Sequence, residues 1–365
     1  MSTSTLDGKP IPLDEAYRHA ARLLSTARFP VVAGLGADVS GVRAAILLAE
    51  RLRGAFDHMN APAALRDLEV MRSFGQFTTT PNETRVRADA VLLIGSGLAA
   101  QWPTIFERLD LARSPRFGAE GPRKVIWIGA RRGEAKIDGV EIDALTVTAD
   151  EIPGVLGALR ARVAGRPIAT SDAAIKKFDA HAAALKNAKF GVAVWSAATL
   201  DALCIEMAQG LLQDLNLTTR FTAVPIGGRN GAAGVIQASG WMTGFPPRTG
   251  FGRGYPEHDP WRYDAKRLVD SGEADAALWI SAYNPETPPW VRDDLPLVTL
   301  SPAGSATKRG LWIAVARPGV DGDAIDYSQD AATFVYRKAS AKTDAPGVAD
   351  AIAAIQSSFS EGAPC

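Results

Sequence analysis

Two cysteines and four histidines are the side chains of this 365-residue sequence best suited to hold a metal, attack a substrate or move a proton. Cys204 lies in the apolar run Leu203-Cys204-Ile205, and Cys365 is the last residue. Such a pair builds no disulfide framework, zinc site or iron–sulfur site. His19, His58, His181 and His258 are scattered, and no two stand at metal-ligand spacing. His19 and His181 fall within helical patterns and read as surface or edge residues. His258 stands out, because Glu257 and Asp259 flank it in an irregular segment. No Gly-x-Ser-x-Gly elbow occurs. The stretch Gly34-Leu-Gly-Ala-Asp-Val-Ser lacks the third glycine of a dinucleotide fingerprint, and no phosphate-binding Gly-x-x-x-x-Gly-Lys-Ser/Thr is present. These glycines read as tight strand-to-helix turns. A serine–histidine or two-carboxylate site is spatial and stays open, though no cluster of residues asks for one.

The segment from Gly240 to Pro260 is crowded with Gly and Pro, and it carries aromatic residues and two arginines. An irregular stretch of this length is usually functional or disordered, and the aromatic content argues against disorder. Arg229, Asn230, Trp241, Arg253, Tyr255 and His258 form the set of candidate cleft or interface residues. Among them Arg229, Arg253 and Tyr255 suit contacts to an anion, since a guanidinium forks onto carboxylates. The alternative is that the segment packs between lobes or against a partner. No residue is singled out as catalytic, metal-binding or cofactor-binding.

The elements that must position these residues alternate between helix and strand. Leu13 to Ala27 is amphipathic, with Ala16, Tyr17, Ala20, Leu23, Leu24 and Ala27 on one face. Continuous apolar strands are expected near Pro30, Ala90, Val125, Gly191, Phe221, Ala276, Leu297 and Trp312, the kind covered on both faces of a parallel sheet. Further helices are expected over 41–53, 152–163, 173–188 and 348–359. The pattern is that of an α/β protein with doubly wound, mostly parallel sheets. The sequence also repeats itself. Leu24-Ser-Thr-Ala-Arg-Phe-Pro-Val-Val-Ala-Gly echoes Leu185-Lys-Asn-Ala-Lys-Phe-Gly-Val-Ala-Val-Trp, and Arg87-Ala-Asp-Ala-Val-Leu-Leu-Ile echoes Glu273-Ala-Asp-Ala-Ala-Leu-Trp-Ile. Two similar lobes around a cleft are expected: residues 1–165, residues 166–340 with the Gly/Pro-rich loop, and then a C-terminal helix and tail over 341–365. Forty basic residues balance forty acidic ones, which gives no electrostatic reason for a nucleic-acid or anionic-membrane partner. The start of the sequence carries no secretory pattern and no stretch reaches a membrane span, so a cytoplasmic location is expected.

Asn230-Gly-Ala-Ala-Gly-Val-Ile-Gln, Trp241-Met-Thr-Gly-Phe-Pro, Phe251-Gly-Arg-Gly-Tyr-Pro and Leu268-Val-Asp-Ser-Gly-Glu-Ala-Asp-Ala together resemble the B subunit of formylmethanofuran dehydrogenase, a branch of the molybdopterin oxidoreductases. Weaker similarity runs from about Leu13 to Pro318. The resemblance implies two related lobes that hold a bis-pterin guanine dinucleotide, an iron–sulfur centre, and tungsten or molybdenum on a cysteine or selenocysteine. The sequence departs from each expectation. Its first cysteine is Cys204. The stretch matching the metal ligand, Asn60-Ala-Pro-Ala-Ala-Leu-Arg-Asp, has no thiol and no histidine beside it. Turns where an Asp-Pro is expected near the guanines read Ile128-Gly-Ala-Arg-Arg and Leu300-Ser-Pro-Ala. Arg229 stands near where catalytic relatives carry a histidine. The resemblance therefore implies a non-redox, cofactor-free structural subunit of the related formyltransferase/hydrolase complex of methylotrophic one-carbon metabolism, which converts a formyl-methanofuran-type carrier to formate. Its partners would be an amidohydrolase-like hydrolase subunit, a formyltransferase subunit and a further family subunit, with the carrier met indirectly. The alternatives are a catalytic tungsten or molybdenum pterin subunit, or a carrier-binding module.

Overall fold

The expected strands and helices form, in a computed structural model that describes residues 3–118, 120–341 and 343–359, two compact units. Antiparallel β1 (Ser4–Leu6) and β2 (Lys9–Pro10) precede α1 (Leu13–Ser25), whose Ala16, Ala20 and Leu24 share a buried face. Every residue of β3 (Pro30–Gly36) is buried. Asp38 then caps α2 (Val39–Arg51) by accepting from the Gly41 N–H at 3.0 Å. After β4 (Ala55–Phe56) the chain passes into the second unit along α3 (Ala61–Phe74). There it forms α4 (Pro81–Arg87), β5 (Ala90–Ile94), α5 (Leu98–Gln101), α6 (Ile105–Leu109), β6 (Lys124–Ile128) and β7 (Ile142–Leu145). It continues through α7 (Ile152–Val163), α8 (Asp172–Lys186), β8 (Gly191–Trp195), α9 (Ala202–Leu215) and β9 (Phe221–Pro225). From Asn230 it builds the first unit again with α10 (Ala232–Thr243), β10 (Thr249–Gly250), β11 (Glu257–His258), α11 (Ala265–Asp270) and β12 (Ala276–Ser281). The remaining elements are β13 (Leu297–Ser301), β14 (Leu311–Ala314), β15 (Ala324–Ser328), β16 (Thr333–Arg337) and α12 (Val348–Ser357).

Each unit is a parallel α/β sheet covered on both faces. In the first, the parallel run is β4-β3-β12-β13-β14, flanked by short antiparallel edges. In the second it is β9-β8-β5-β6-β7 throughout. Side chains alternate between faces as strand geometry requires. Val32 joins the core with α1 and α2, while Val31 and Ala33 pack on the side of Leu268 and Trp279. Leu92 and Ile94 likewise face α7 and α9, and Val91 and Leu93 face Leu98 and Ile105.

The units are not the expected blocks 1–165 and 166–340. The first comprises the described residues of Met1–Ala61, Asn230–Ser328 and Thr333–Cys365; the second comprises Pro62–Arg229 with Gln329–Ala332. The expected boundary at residue 165 lies just after α7 (Ile152–Val163), inside the second unit. The physical reason is that the two echoed halves exchange partners. β3 echoes β8 and β5 echoes β12, yet β3 pairs with β12 and β5 with β8. The 240–260 segment also departs from expectation. Its first residues finish α10, and its remainder supplies β10 and β11, which extend the sheet beyond β4.

One device recurs at both exchanged pairings. Asp275, ahead of β12, accepts from the N–H groups of Arg28 and Phe29, both at 3.0 Å, just ahead of β3. Asp89, ahead of β5, accepts from Lys189 and Phe190 at 2.8 and 2.9 Å, just ahead of β8. Burial works against ionisation of Asp275, but the Phe29 and Arg28 donors outweigh it and hold the carboxyl below its ordinary value. Replacing Asp275 with Asn removes a charge-assisted fork and is expected to cost about 1–3 kcal/mol, read as a lowered urea midpoint at neutral pH. Because the folded value is depressed, this contribution is present above the ordinary 3.8 and is lost as pH falls through the folded value. The gap between variant and wild type therefore closes in acid.

Candidate functional site

In an open parallel sheet, ligands meet the crevice outside the carboxyl ends of the strands, where strand order reverses. In the first unit this switch point lies between β3 and β12. Asp57, His58 and Met59 follow the end of β4, Asp38 follows β3, and Tyr283, Asn284 and Glu286 follow β12. Asn230 and Gly231 bring the start of α10 to the same edge. Asn230 is left-handed at φ 55°, a conformation that asparagine tolerates better than most residues. Gly231 is at φ 75°, and a Cβ there would stand 2.9 Å from the Tyr283 ring and 3.2 Å from the Ala37 carbonyl. Only glycine fits that turn.

Asp57, His58 and Asn230 are engaged with their neighbours. His58 is buried, and its Nδ1 accepts from the Asn60 N–H at 2.9 Å. Its Nε2 therefore carries the proton and donates to the Asn230 carbonyl at 3.1 Å. Burial lowers the His58 pKa to about 4, so the ring is neutral with both nitrogens engaged. Asp57 accepts from the His58 N–H at 2.8 Å and from the Ala265 N–H at 3.0 Å. Burial raises its pKa to about 7 against the pull of Arg248, whose Nε lies 3.5 Å away. The Asn230 amide donates to the Met59 sulfur at 3.0 Å and accepts from Asn284 at 3.1 Å. Beside this cluster the Tyr283 hydroxyl donates to Asp326 on β15, and Arg337 on β16 pairs with Asp326 at 3.1 Å. Burial, then the Asp326 charge, push the Tyr283 phenol well above its ordinary range. The β15–β16 hairpin is thus pinned to this edge, where Asp38 also accepts from the Ile325 N–H at 3.3 Å.

The six candidates from sequence do not converge. Asn230 belongs to the cluster. Arg229, the last residue of the second unit before the crossing, is exposed. Trp241 is 68% exposed on α10, with its ring 4.8 Å from that of Phe334. Arg253 pairs with Glu257 at 3.3 Å and bonds Tyr255, itself half exposed. The Nδ1–H of His258 donates to the Arg248 carbonyl at 2.9 Å, and its ring stacks on Phe245. These contacts fold the 245–264 strap upon itself. Its anchor is Arg248, which sequence reasoning misses: it donates to the Pro260 carbonyl at 2.6 Å and pairs with Asp264 and Asp57. Sequence reasoning also misses His58. It lies two positions before Asn60, so the stretch matched to the metal ligand does have a histidine close by. The legible signal is the Asp-His pair directly after a short apolar strand.

The tungsten or molybdenum centre that the resemblance implies needs a soft thiolate. At this edge the sulfur is the Met59 thioether, and it already takes the Asn230 amide. Cys204 belongs to the other unit. It is buried in α9 of the second unit, and burial together with Asp201 pushes its thiol up to about 12. Cys365 lies outside the described residues. Among the described residues no group of three His, Cys, Asp or Glu is placed to hold a metal ion. The side chains at this edge do not fit that centre.

No protein-family model matches the sequence. It is 33% identical over 358 residues to the B subunit of the formyltransferase/hydrolase complex Fhc of Methylorubrum extorquens, covering 95% of this chain and 94% of that protein. It is 25% and 26% identical to the B subunits of tungsten-containing formylmethanofuran dehydrogenase 2 from Methanococcus maripaludis and from Methanocaldococcus jannaschii, each over 91% of this chain and 80% of the relative. A chain in the crystal structure of the FhcABCD complex of M. extorquens with methylofuran superposes with a TM-score of 0.87. It is 32% identical and covers 97% of this chain, and 98% of that chain is covered.

Two measurements probe the cluster. The His58 ring is expected to remain the neutral Nε2–H tautomer down to about pH 5 in a nitrogen-detected histidine titration, given its pKa of about 4. An imidazole that titrates near 6.5 would contradict the two bonds drawn to it. Asp57 has a raised folded pKa, so its stabilisation is full below 3.8 and is lost as pH rises through about 7. Asp57→Asn is therefore expected to gain on wild type over that interval, read as the difference between their urea midpoints at each pH.

Proposed function

The chain belongs to the family of the B subunit of the formyltransferase/hydrolase complex, and on that premise we propose that it is a non-redox architectural component of such a complex. In this reading the complex moves a formyl group off a methanofuran-type carrier and releases formate. Hydrolysis and transfer are done by an amidohydrolase-like subunit and a formyltransferase subunit, and one further family member completes the assembly. This chain holds them in place and carries no step of the chemistry. A cytoplasmic location belongs to the same proposal. Among the described residues no helix is long and apolar enough to cross a membrane.

The observation that carries the reading is the state of the first unit's strand-end edge. The side chains of Asp57, His58 and Asn230 there are already bonded to neighbours, and the sulfur present is a thioether. Freeing His58 or Asn230 for another partner would strand a buried donor or acceptor, at about 1–3 kcal/mol each. The similarity to the tungsten-containing relatives spans nearly the whole chain, yet the donor set that suits their metal is not at this edge.

The test is purification of the tagged chain from its native cells, followed by elemental and pterin analysis. Co-purification with a formyltransferase and an amidohydrolase-like protein, free of tungsten, molybdenum and pterin, is the expected result. In the assembled complex, Asn230→Ala is expected to leave turnover within about twofold while lowering thermal stability. Stoichiometric tungsten or molybdenum with a pterin dinucleotide would overturn the proposal and return the chain to the oxidoreductases.

A further inference from the structure

The β15–β16 hairpin is a two-stranded sheet of its own, and its two edges are treated differently. In an antiparallel pair, opposite residues alternate between exchanging both N–H···O bonds and exchanging none. Ile325 stands opposite Tyr336, and its N–H turns away from β16 to the Asp38 carboxylate at 3.3 Å. The Ile325–Tyr336 pair is therefore of the second kind, and so is Tyr327–Phe334, two residues along. On the β15 side, Asp38 at the start of α2 takes the outward Ile325 donor. On the β16 side, the N–H and C=O groups of Phe334 and Tyr336 point away from the hairpin. Among the described residues no further strand pairs with β16, and no turn or loop bond reaches those groups.

Sheet edges are commonly blunted by proline, lysine or a bulge. β16 reads Thr333-Phe-Val-Tyr-Arg337, which carries none of these and is rich in strong strand formers. Phe334 and Tyr336 share a face with Ile325 and Tyr327. Trp241 of α10 packs its ring against Phe334, whose own ring lies 5.3 Å from Tyr327. Tyr336 is 65% exposed and Ile325 42%, and Trp241 is more open than either. The edge thus sets free backbone donors and acceptors next to uncovered aromatic surface, which is what an added strand fills. A two-stranded hairpin is marginal by itself, and further strands stabilise it.

We propose that this edge is occupied by a second copy of the chain, whose β16 pairs antiparallel with this one to make a four-stranded sheet. The strand fits itself in one register. A two-fold axis through Val335 sets Phe334 opposite the partner's Tyr336 and Tyr336 opposite the partner's Phe334. Both outward-facing pairs then exchange their two bonds, and the aromatic side chains meet across the strands on the Trp241 face. Thr333 comes opposite the partner's Arg337, so no like charges are opposed. An axis through Phe334 would bring in Ala332, which is left-handed at φ 50° in the turn, and an axis through Tyr336 would bring in Lys338, beyond the end of β16. Trp241 and Tyr336 leave roughly 250 Å² of side chain uncovered per copy, about a third of the ~800 Å² that each partner of a stable complex buries. With the backbone pairing added, the contact falls in the weak class and serves to join two assemblies that each hold one copy. It does not rest on the architectural reading, and its failure would leave that reading standing.

The experiment is disulfide trapping in the purified assembly that contains the chain, or in the full chain alone should it purify without partners, in a Cys365→Ser background. Val335→Cys puts two thiols at the axis, in a pair whose Cα atoms stand about 4.5 Å apart, within disulfide reach. Thr333→Cys puts them four residues apart along the strands, on the order of 14 Å, which is out of reach. Mild oxidation is expected to give at least about tenfold more disulfide-linked dimer of this chain with Val335→Cys than with Thr333→Cys, read by non-reducing electrophoresis. Thr333 is exposed, so charge can be placed there without touching the core. Added to Val335→Cys, Thr333→Lys faces the partner's Arg337 and is expected to lower the trapped fraction at least about threefold, while Thr333→Glu pairs with that arginine and raises it. A Val335→Cys thiol that stays reduced, links to a different subunit, or links no better than Thr333→Cys would overturn the proposal. So would a trapped fraction that Thr333→Lys and Thr333→Glu leave unchanged or move in the same direction.

Discussion

Two parallel pairings, β3 with β12 and β5 with β8, carry the architecture, because each is the place where its unit is closed from distant stretches of chain. Residues 246 or 247 positions apart meet at Asp275, and residues 100 or 101 apart meet at Asp89. In both cases a carboxylate sits ahead of one strand and takes two backbone N–H groups ahead of the other. This sets register where hydrophobic burial alone is permissive: a parallel strand buried on both faces slips with little change in the apolar area covered. A charged fork does not slip. It also satisfies two backbone donors that the sheet would otherwise leave unpaired at the strand starts.

The exchange explains why the units have the same strand order although neither is a contiguous repeat. Each echoed half contributes two strands to one unit and three to the other: β3 and β4 go to the first with β12, β13 and β14, while β8 and β9 go to the second with β5, β6 and β7. Contacts of this range are slow to form, since loop closure must precede any gain from burial. The arrangement also frees the strand-end edges to diverge. The forks lie at the amino ends of the strands, and the turns that face a ligand lie at the carboxyl ends. Losses at one end leave the other intact.

This separation accounts for what is legible from sequence. Continuous apolar runs such as Ala90–Ile94 and Ala276–Ser281 announce buried parallel strands, and the Ala-Asp-Ala and basic-Phe echoes announce the repeat. Those echoes contain Asp89, Asp275, Phe29 and Phe190, the residues at the forks. The sequence does not say which copy pairs with which, because periodicity is local and the pairing is not. The expected boundary near residue 165 follows from assuming that each copy folds on itself. Short elements are equally hidden. β4, β10 and β11 are two residues each, too brief for any period to show, and they turn an expected irregular loop into a sheet edge. The β15–β16 hairpin is only partly buried and gives no clean alternation.

The site is legible in what it lacks more than in what it holds. A missing thiolate can be read from composition, whereas a saturated buried cluster cannot, since each member is ordinary alone. His58 is one histidine among four and Asn230 one asparagine in a Gly/Ala run. They become a unit because burial makes an unpaired donor costly, and each satisfies the other: the His58 ring donates to the Asn230 carbonyl. A polar crevice at such an edge fills with water or with side chains. Tyr283 with Asp326 and Arg337 takes the second course in the first unit. The second unit's edge is open and carries, among the described residues, two arginines without a partner.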